Sequence, residues 1–217
     1  MIENAKENSQ RVELKDRIIE TASEAFTTHG IKSITMDDIA ASLGISKRTL
    51  YEVFQDKESL LTQCILKRQE EMNAFLAETL ANSKNVLEVI LVCYQRSIET
   101  FHRTNKRFFE DIKKYPKVHS LLKNYRERDS DSTIEFFKMG IKQGIFRDDV
   151  NFAIVNLLVH EQLDLLMNTD ICNKYSFLEV YEAIMFTYIR GISTEKGAKV
   201  LEDFITEYRK RSEEHTS

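Results

Sequence analysis

One proline and six glycines in 217 residues leave few places for sharp breaks, and no segment of any length alternates apolar and polar residues as a sheet requires. Long helices are the architecture that remains. Cysteine is scarce: Cys64, Cys93 and Cys172 lie far apart and form no CxxC pair, which argues against a metal site or a disulfide framework. Each reads as a small packing residue in a reducing compartment. No apolar run approaches the roughly 18 residues a membrane span needs. The polar opening MIENAKENSQ does not read as a signal peptide, so the expected location is the cytoplasm. Positive charge is also short. The formal net charge is -4 and the pI near 5.8. Residues 1–60 hold eight Lys or Arg against eleven Asp or Glu. That balance disfavours charge-driven, non-specific nucleic-acid binding but allows a small local patch at Lys47, Arg48 and Lys57. There is no Gly-rich phosphate loop and no HExxH spacing. His160-Glu161 is the nearest thing to a catalytic pair, and a lone His on an apolar helix is more often a core residue. The chain is therefore read as a non-enzyme, without catalytic residues, metal ligands or cofactor.

The informative stretch is Thr35 to Lys57, TMDDIAASLGISKRTLYEVFQDK. Thr35 is an N-cap residue, followed by Asp37 and Asp38 where the helix dipole favours negative charge. Met36, Ile39, Ala40 and Leu43 recur at helical spacing on one apolar face. Gly44 then stops the helix, and Ser46 caps a second. The second helix places Leu50, Val53 and Phe54 on its apolar side and Lys47, Arg48, Thr49 and Tyr51 on the other. Two short helices joined by a tight glycine turn form a helix-turn-helix. Its second helix is the one expected in the DNA major groove, N-terminal residues against the bases. Lys47 and Arg48 sit there and match guanine O6 and N7. The hydroxyls of Thr49 and Tyr51 suit phosphate oxygens.

These residues resemble the DNA-binding domain of the TetR family of bacterial transcriptional repressors. The resemblance rests on Thr35-Met36-Asp37-Asp38-Ile39-Ala40, Leu43-Gly44-Ile45-Ser46, Thr49-Leu50-Tyr51, Phe54, and Lys57 with Leu60. Upstream, Ala22 and Phe26 with His29-Gly30 fit the end of that family's first helix. The likeness is close over residues 11 to 65 and architectural beyond. It implies an all-α fold: an N-terminal three-helix helix-turn-helix DNA-binding domain plus a C-terminal helical ligand-binding and dimerisation domain. The expected boundaries are a disordered arm at 1–10, the DNA-binding domain at 11–56, the helical domain at 57–211 and a tail at 212–217. The candidate DNA-contacting set is Thr35, Met36, Ser46, Lys47, Arg48, Thr49, Tyr51 and Lys57. The expected partners are operator double-stranded DNA, a second copy of the chain, and a small-molecule inducer of lipophilic or aromatic character.

Further along, a long helix is expected from Lys57 to about Leu80, able to carry movement from the DNA-binding part onward. Helices follow at Val86 to Thr104, Asn105 to Tyr115, Val118 to Gly140 or Gly144, Asn151 to Met167, Phe177 to Ile192 and Thr194 to Arg209. The helices at 151–167 and 177–192 are apolar nearly all round and so need burial on more than one side. A two-fold pairing with their own copies would supply it. Candidate inducer-contacting residues are Phe75, Tyr94, Ser97, Phe101, Phe108, Met139, His160 and Asp164, mostly apolar with few polar groups. The implied function is a repressor released from a palindromic operator by its inducer. The alternative is a helical interaction or DNA-tethering protein without promoter control.

Overall fold

The computed structural model describes the backbone of residues 2–128, 130–168, 171 and 174–214, with side chains except at 2–8, 119, 123, 125–128, 130, 131, 163–168 and 211–214. Among these the chain is helical. In order the helices are α1 (Ile2–His29), α2 (Met36–Leu43), α3 (Lys47–Val53), α4 (Lys57–Asn82), α5 (Val86–Arg103), α6 (Lys106–Ile112), α7 (Pro116–Arg128), α8 (Ser130–Lys142), α9 (Phe152–Asn168), α10 (Phe177–Ile192) and α11 (Glu195–Glu214). The only β pairing among the described residues is an isolated antiparallel bridge between Phe146 and Ser193. No helix among them is long and apolar enough to cross a membrane.

Two compact units make up the chain. The first joins Met1–Phe75 to Glu99–Tyr125, and the second joins Leu76–Ile98 to Arg126–Ser217. In the first, Ile18, Ala22 and Phe26 of α1 meet Ile39 and Ala40 of α2, Leu50 of α3, Leu60 and Leu61 of α4, Phe108 of α6 and Val118 of α7. Burying one such side chain contributes about 1.5–3 kcal/mol, so Leu50, fully enclosed, is the residue that fixes α3 to its support. The second unit has its own core, from Leu87, Leu91 and Tyr94 of α5, Ile145 and Phe146, Phe186 and Ile189 of α10, and Leu201 and Ile205 of α11.

Several expectations change. The boundary foreseen at 56 and 57 lies elsewhere, because the start of α4, α6 and the start of α7 bury Leu60, Leu61, Phe108 and Val118 in the first core. Residues 2–10, foreseen as a loose arm, continue α1. Ala5, Lys6, Glu7 and Gln10 are good helix formers, and helix needs no buried face where propensity suffices. Across the helix foreseen from Val118 to Gly144, α7 and α8 are described on either side of residue 129, which lies outside the described residues. Pro116 is the first residue of α7, a position where its fixed φ fits and its missing N–H is not needed. The final helix extends to Glu214, into the foreseen tail. Cys172 lies outside the described residues.

Candidate nucleic-acid interface

The α2–α3 pair is built from local chemistry at each end. Thr35 caps α2: its Oγ1 accepts from the Asp38 N–H at 3.1 Å, while the Thr35 N–H donates to Asp38 Oδ2 at 2.8 Å. The Thr35 hydroxyl also donates to that oxygen, at 2.6 Å. These bonds favour the carboxylate and hold the Asp38 pKa below its ordinary value. Gly44 ends α2 with φ +66°, a left-handed conformation that side chains rarely adopt. Ile45 N–H then closes back on Ala40 O at 3.0 Å. Ser46 caps α3, accepting from the Thr49 N–H at 3.0 Å. Asp56 caps α4 the same way, accepting from the Ser59 N–H at 2.7 Å.

This frame fixes what α3 shows to solvent. Leu50 points into the core, and Lys47, Arg48 and Tyr51 point out. Arg48 has a side chain 89% exposed, and Tyr51 is 49% exposed. Lys47 Nζ pairs with Asp37 of α2, which raises the Lys47 pKa. Arg48 Nε donates to Glu52 Oε1 at 2.9 Å, using one of the five N–H donors of its guanidinium. Exposed pairs of this kind are worth about 0.2–1 kcal/mol. A bidentate contact to guanine discriminates by about 1–3 kcal/mol. Both cations can therefore leave their acids for DNA at a net gain. The partners themselves were not foreseen, although Arg48 and Glu52 stand at the i, i+4 spacing that marks a helical pair.

The rest of the candidate set divides. Thr35 and Ser46 are exposed at the starts of their helices, and the Thr49 hydroxyl shares a 2.8 Å hydrogen bond with Ser46 Oγ. Met36 is 6% exposed and packs in the core, so only its backbone lies at the start of α2. Lys57 is turned inward. Its ammonium donates to Ile34 O and lies 5.6 Å from the centre of the Phe26 ring. Burial lowers its pKa. A side chain so placed ties the α1–α2 turn to the start of α4.

Comparison with known proteins bears on this geometry. Residues 18–64 match the family described as bacterial regulatory proteins, tetR family. The HTH-type transcriptional repressor KstR2 of Mycobacterium tuberculosis is 23% identical over 160 residues, 71% of this chain and 78% of that protein. Residues 18–64 are thus a TetR-family DNA-binding domain. With that domain the chain is a DNA-binding transcriptional regulator. An HTH-type transcriptional regulator of Staphylococcus aureus is 37% identical over 78 residues, 36% of this chain and 37% of that one. In fold, the chain resembles a transcriptional regulator from Saccharomonospora viridis solved in complex with choline. That likeness has a TM-score of 0.67 at 18% identity and covers 85% of this chain and all of that one.

The foreseen inducer-contacting residues fall in both units. Phe75, Phe101 and Phe108 belong to the first, where Phe101 and Phe108 both contact Phe109, at 5.3 and 5.6 Å between ring centres. Tyr94, Ser97, Met139 and His160 belong to the second. There Tyr94 is buried, stacks on Tyr181 at 5.5 Å and donates its hydroxyl to Glu182 Oε1 at 3.1 Å. Burial, with Glu182 beside it, pushes the Tyr94 phenol well above its usual range. Tyr94 thus serves as packing here. The Asp164 side chain lies outside the described residues.

Proposed function

We propose that this regulator is a cytoplasmic, dimeric repressor that binds a near-palindromic operator and leaves it when a small molecule occupies the second unit. The observation that carries the reading is the outward, N-terminal placement of Lys47 and Arg48 on a helix anchored by Leu50. In this arrangement Arg48 and Lys47 read base edges, while Thr35, Thr49 and Tyr51 hold phosphates.

Dimerisation is supported by α9. Ile154, Leu157 and Leu158 are exposed on one of its faces, with Leu157 at 59%. Their i, i+3, i+4 spacing makes a continuous apolar stripe. A second copy covers it isologously, which sets two recognition helices about one DNA turn apart, or a multiple of it. Ligand response is supported by the choline complex of the Saccharomonospora viridis regulator and by the description of KstR2 as a ketosteroid transcriptional regulator. Helix α4 contributes to both units and is the proposed lever. Coupling is reciprocal, so the inducer and the operator weaken each other by the same factor.

The test is a gel shift on DNA upstream of the protein's own gene, with Arg48→Ala beside the parent. The variant should lose about 1–3 kcal/mol and its preference at one base pair of each half-site. An Arg48→Ala protein that binds every sequence as the parent does removes Arg48 from base reading, and a parent that does not shift its own upstream DNA favours the tethering alternative.

A further inference from the structure

The recognition region is poor in positive charge: residues 1–60 are net acidic, and Lys47 and Arg48 stand beside acids. The segment from Arg103 to Lys117 is the reverse. It holds six Lys or Arg against two acids in a chain whose net charge is -4. Sequence distance hides where this charge goes. Asn105 donates its backbone N–H to Thr27 O at 2.7 Å and its side-chain amide to Thr28 O at 3.1 Å, which seats the start of α6 on the end of α1. Asp111 accepts from the Lys32 N–H at 2.8 Å. Lys117 N–H donates to Glu58 Oε1 at 3.1 Å, beside the start of α4. The α6–α7 turn is thereby tied to the α1–α2 turn and to α4, all within the first unit.

The exposed ammonium groups of three lysines follow from these bonds. Lys114 Nζ is 3.7 Å from Asp111 Oδ1, and Lys117 Nζ is 4.0 Å from Glu58 Oε2. Lys32 is held to the same carboxylate through its backbone N–H, and Lys114 beside it holds the Lys32 pKa below the ordinary lysine value. Two like charges held together are relieved by an anion. Lys32 is also three residues from Thr35, no more than about 10 Å along the chain.

We propose that Lys32, Lys114 and Lys117 form a basic ledge that contacts DNA phosphates beside the operator core, extending the footprint beyond α2 and α3. The proposal rests on the DNA-binding reading above. Such contacts carry no sequence information; they add affinity and salt dependence. Sites 3.7 and 4.0 Å from a carboxylate, on exposed side chains, are held too weakly to oppose the transfer to phosphate.

The experiment uses the full chain and a duplex selected on it from a random-sequence pool, in a long form and in a form trimmed to the selected core. The triple variant Lys32→Gln, Lys114→Gln and Lys117→Gln is compared with the parent across salt concentrations. On the long duplex the slope of log affinity against log salt should fall by about 0.9 for each lysine–phosphate pair removed, so a fourfold rise in salt weakens the parent more than the variant by about 40-fold for each protomer bound. On the trimmed duplex the two should coincide, and the selected sequence should be the same for both. Equal slopes on the long duplex overturn the ledge while leaving the interface at α3 intact, and so does an affinity loss that is the same on both lengths, which marks a structural role. A parent that selects no duplex overturns the DNA-binding reading itself, and the ledge with it.

Discussion

Replacing Gly30 by Ala should destabilise the first unit through two separable costs. Gly30 ends α1 with φ +86°, and its N–H bonds back to Phe26 O at 2.9 Å. An L-residue held left-handed there costs roughly 1–2 kcal/mol. The second cost is space: a Cβ on Gly30 would lie 2.8 Å from Arg107 Cβ of α6. That neighbour is at the root of its side chain and cannot swing away without moving α6, whose Phe108 is part of the core. Overpacking of this kind costs about 1–3 kcal/mol. Gly44 supplies the control. Its φ is +66°, and a Cβ there would meet nothing within 4 Å. Gly44→Ala should therefore show the backbone cost alone, and Gly30→Ala about 2–5 kcal/mol in total. Urea unfolding of both variants and the parent, with m-values compared to confirm a common transition, reads the difference. A Gly30→Ala protein no less stable than Gly44→Ala would refute the close seating of α6 on α1.

Three further outcomes follow from the same geometry. Tyr51→Phe removes only an exposed hydroxyl, so folding should be unchanged while DNA affinity falls alike on all sequences; unchanged binding makes the ring a bystander. The Thr35 bonds depress the Asp38 pKa, so their stabilisation is present above the unfolded value near 3.9 and is lost as pH falls through the folded one. The stability gap between parent and Asp38→Asn should thus be full at neutral pH and close below about pH 4, and a gap that persists unchanged into acid contradicts the capping role. Leu157→Glu leaves the isolated chain intact but removes about 1.5–3 kcal/mol of burial at each of two symmetric positions, so the dimer dissociation constant should rise by roughly two to four powers of ten in sedimentation; an unchanged constant places the dimer interface elsewhere.

What the sequence made legible was local. Thr35, Ser46 and Asp56 cap the helices read for them, and Gly44 takes the left-handed turn that only its lack of a side chain makes easy. Caps and stops depend on residues within three or four positions, and the α2–α3 unit is made of little else. Side-chain direction was harder. Lys57 had the type and position for a phosphate contact, yet its ammonium meets Ile34 O and the Phe26 ring, partners brought by the packing of α1 and the turn after it. Asp111 and the Lys32 N–H are 79 residues apart, and no spacing rule links them. The unit boundary was hidden for the same reason. Helices α4, α5 and α7 each contribute to both units, so composition does not change where the units part. The aromatic residues read as ligand contacts were equally suited to core, and Tyr94 is enclosed by Tyr181, Phe186, Phe204 and Tyr208.

The central claim is that α3 reads guanine edges in the major groove from two symmetric copies. Methylation of guanine N7 blocks the acceptor that Arg48 or Lys47 needs. Methylation interference on a duplex selected by the protein tests it directly. The account predicts two clusters of blocked guanines related by a two-fold axis and spaced about one helical turn apart or a multiple of it, with one guanine of each cluster losing its effect in Arg48→Ala. Binding indifferent to N7 methylation at every guanine would contradict it.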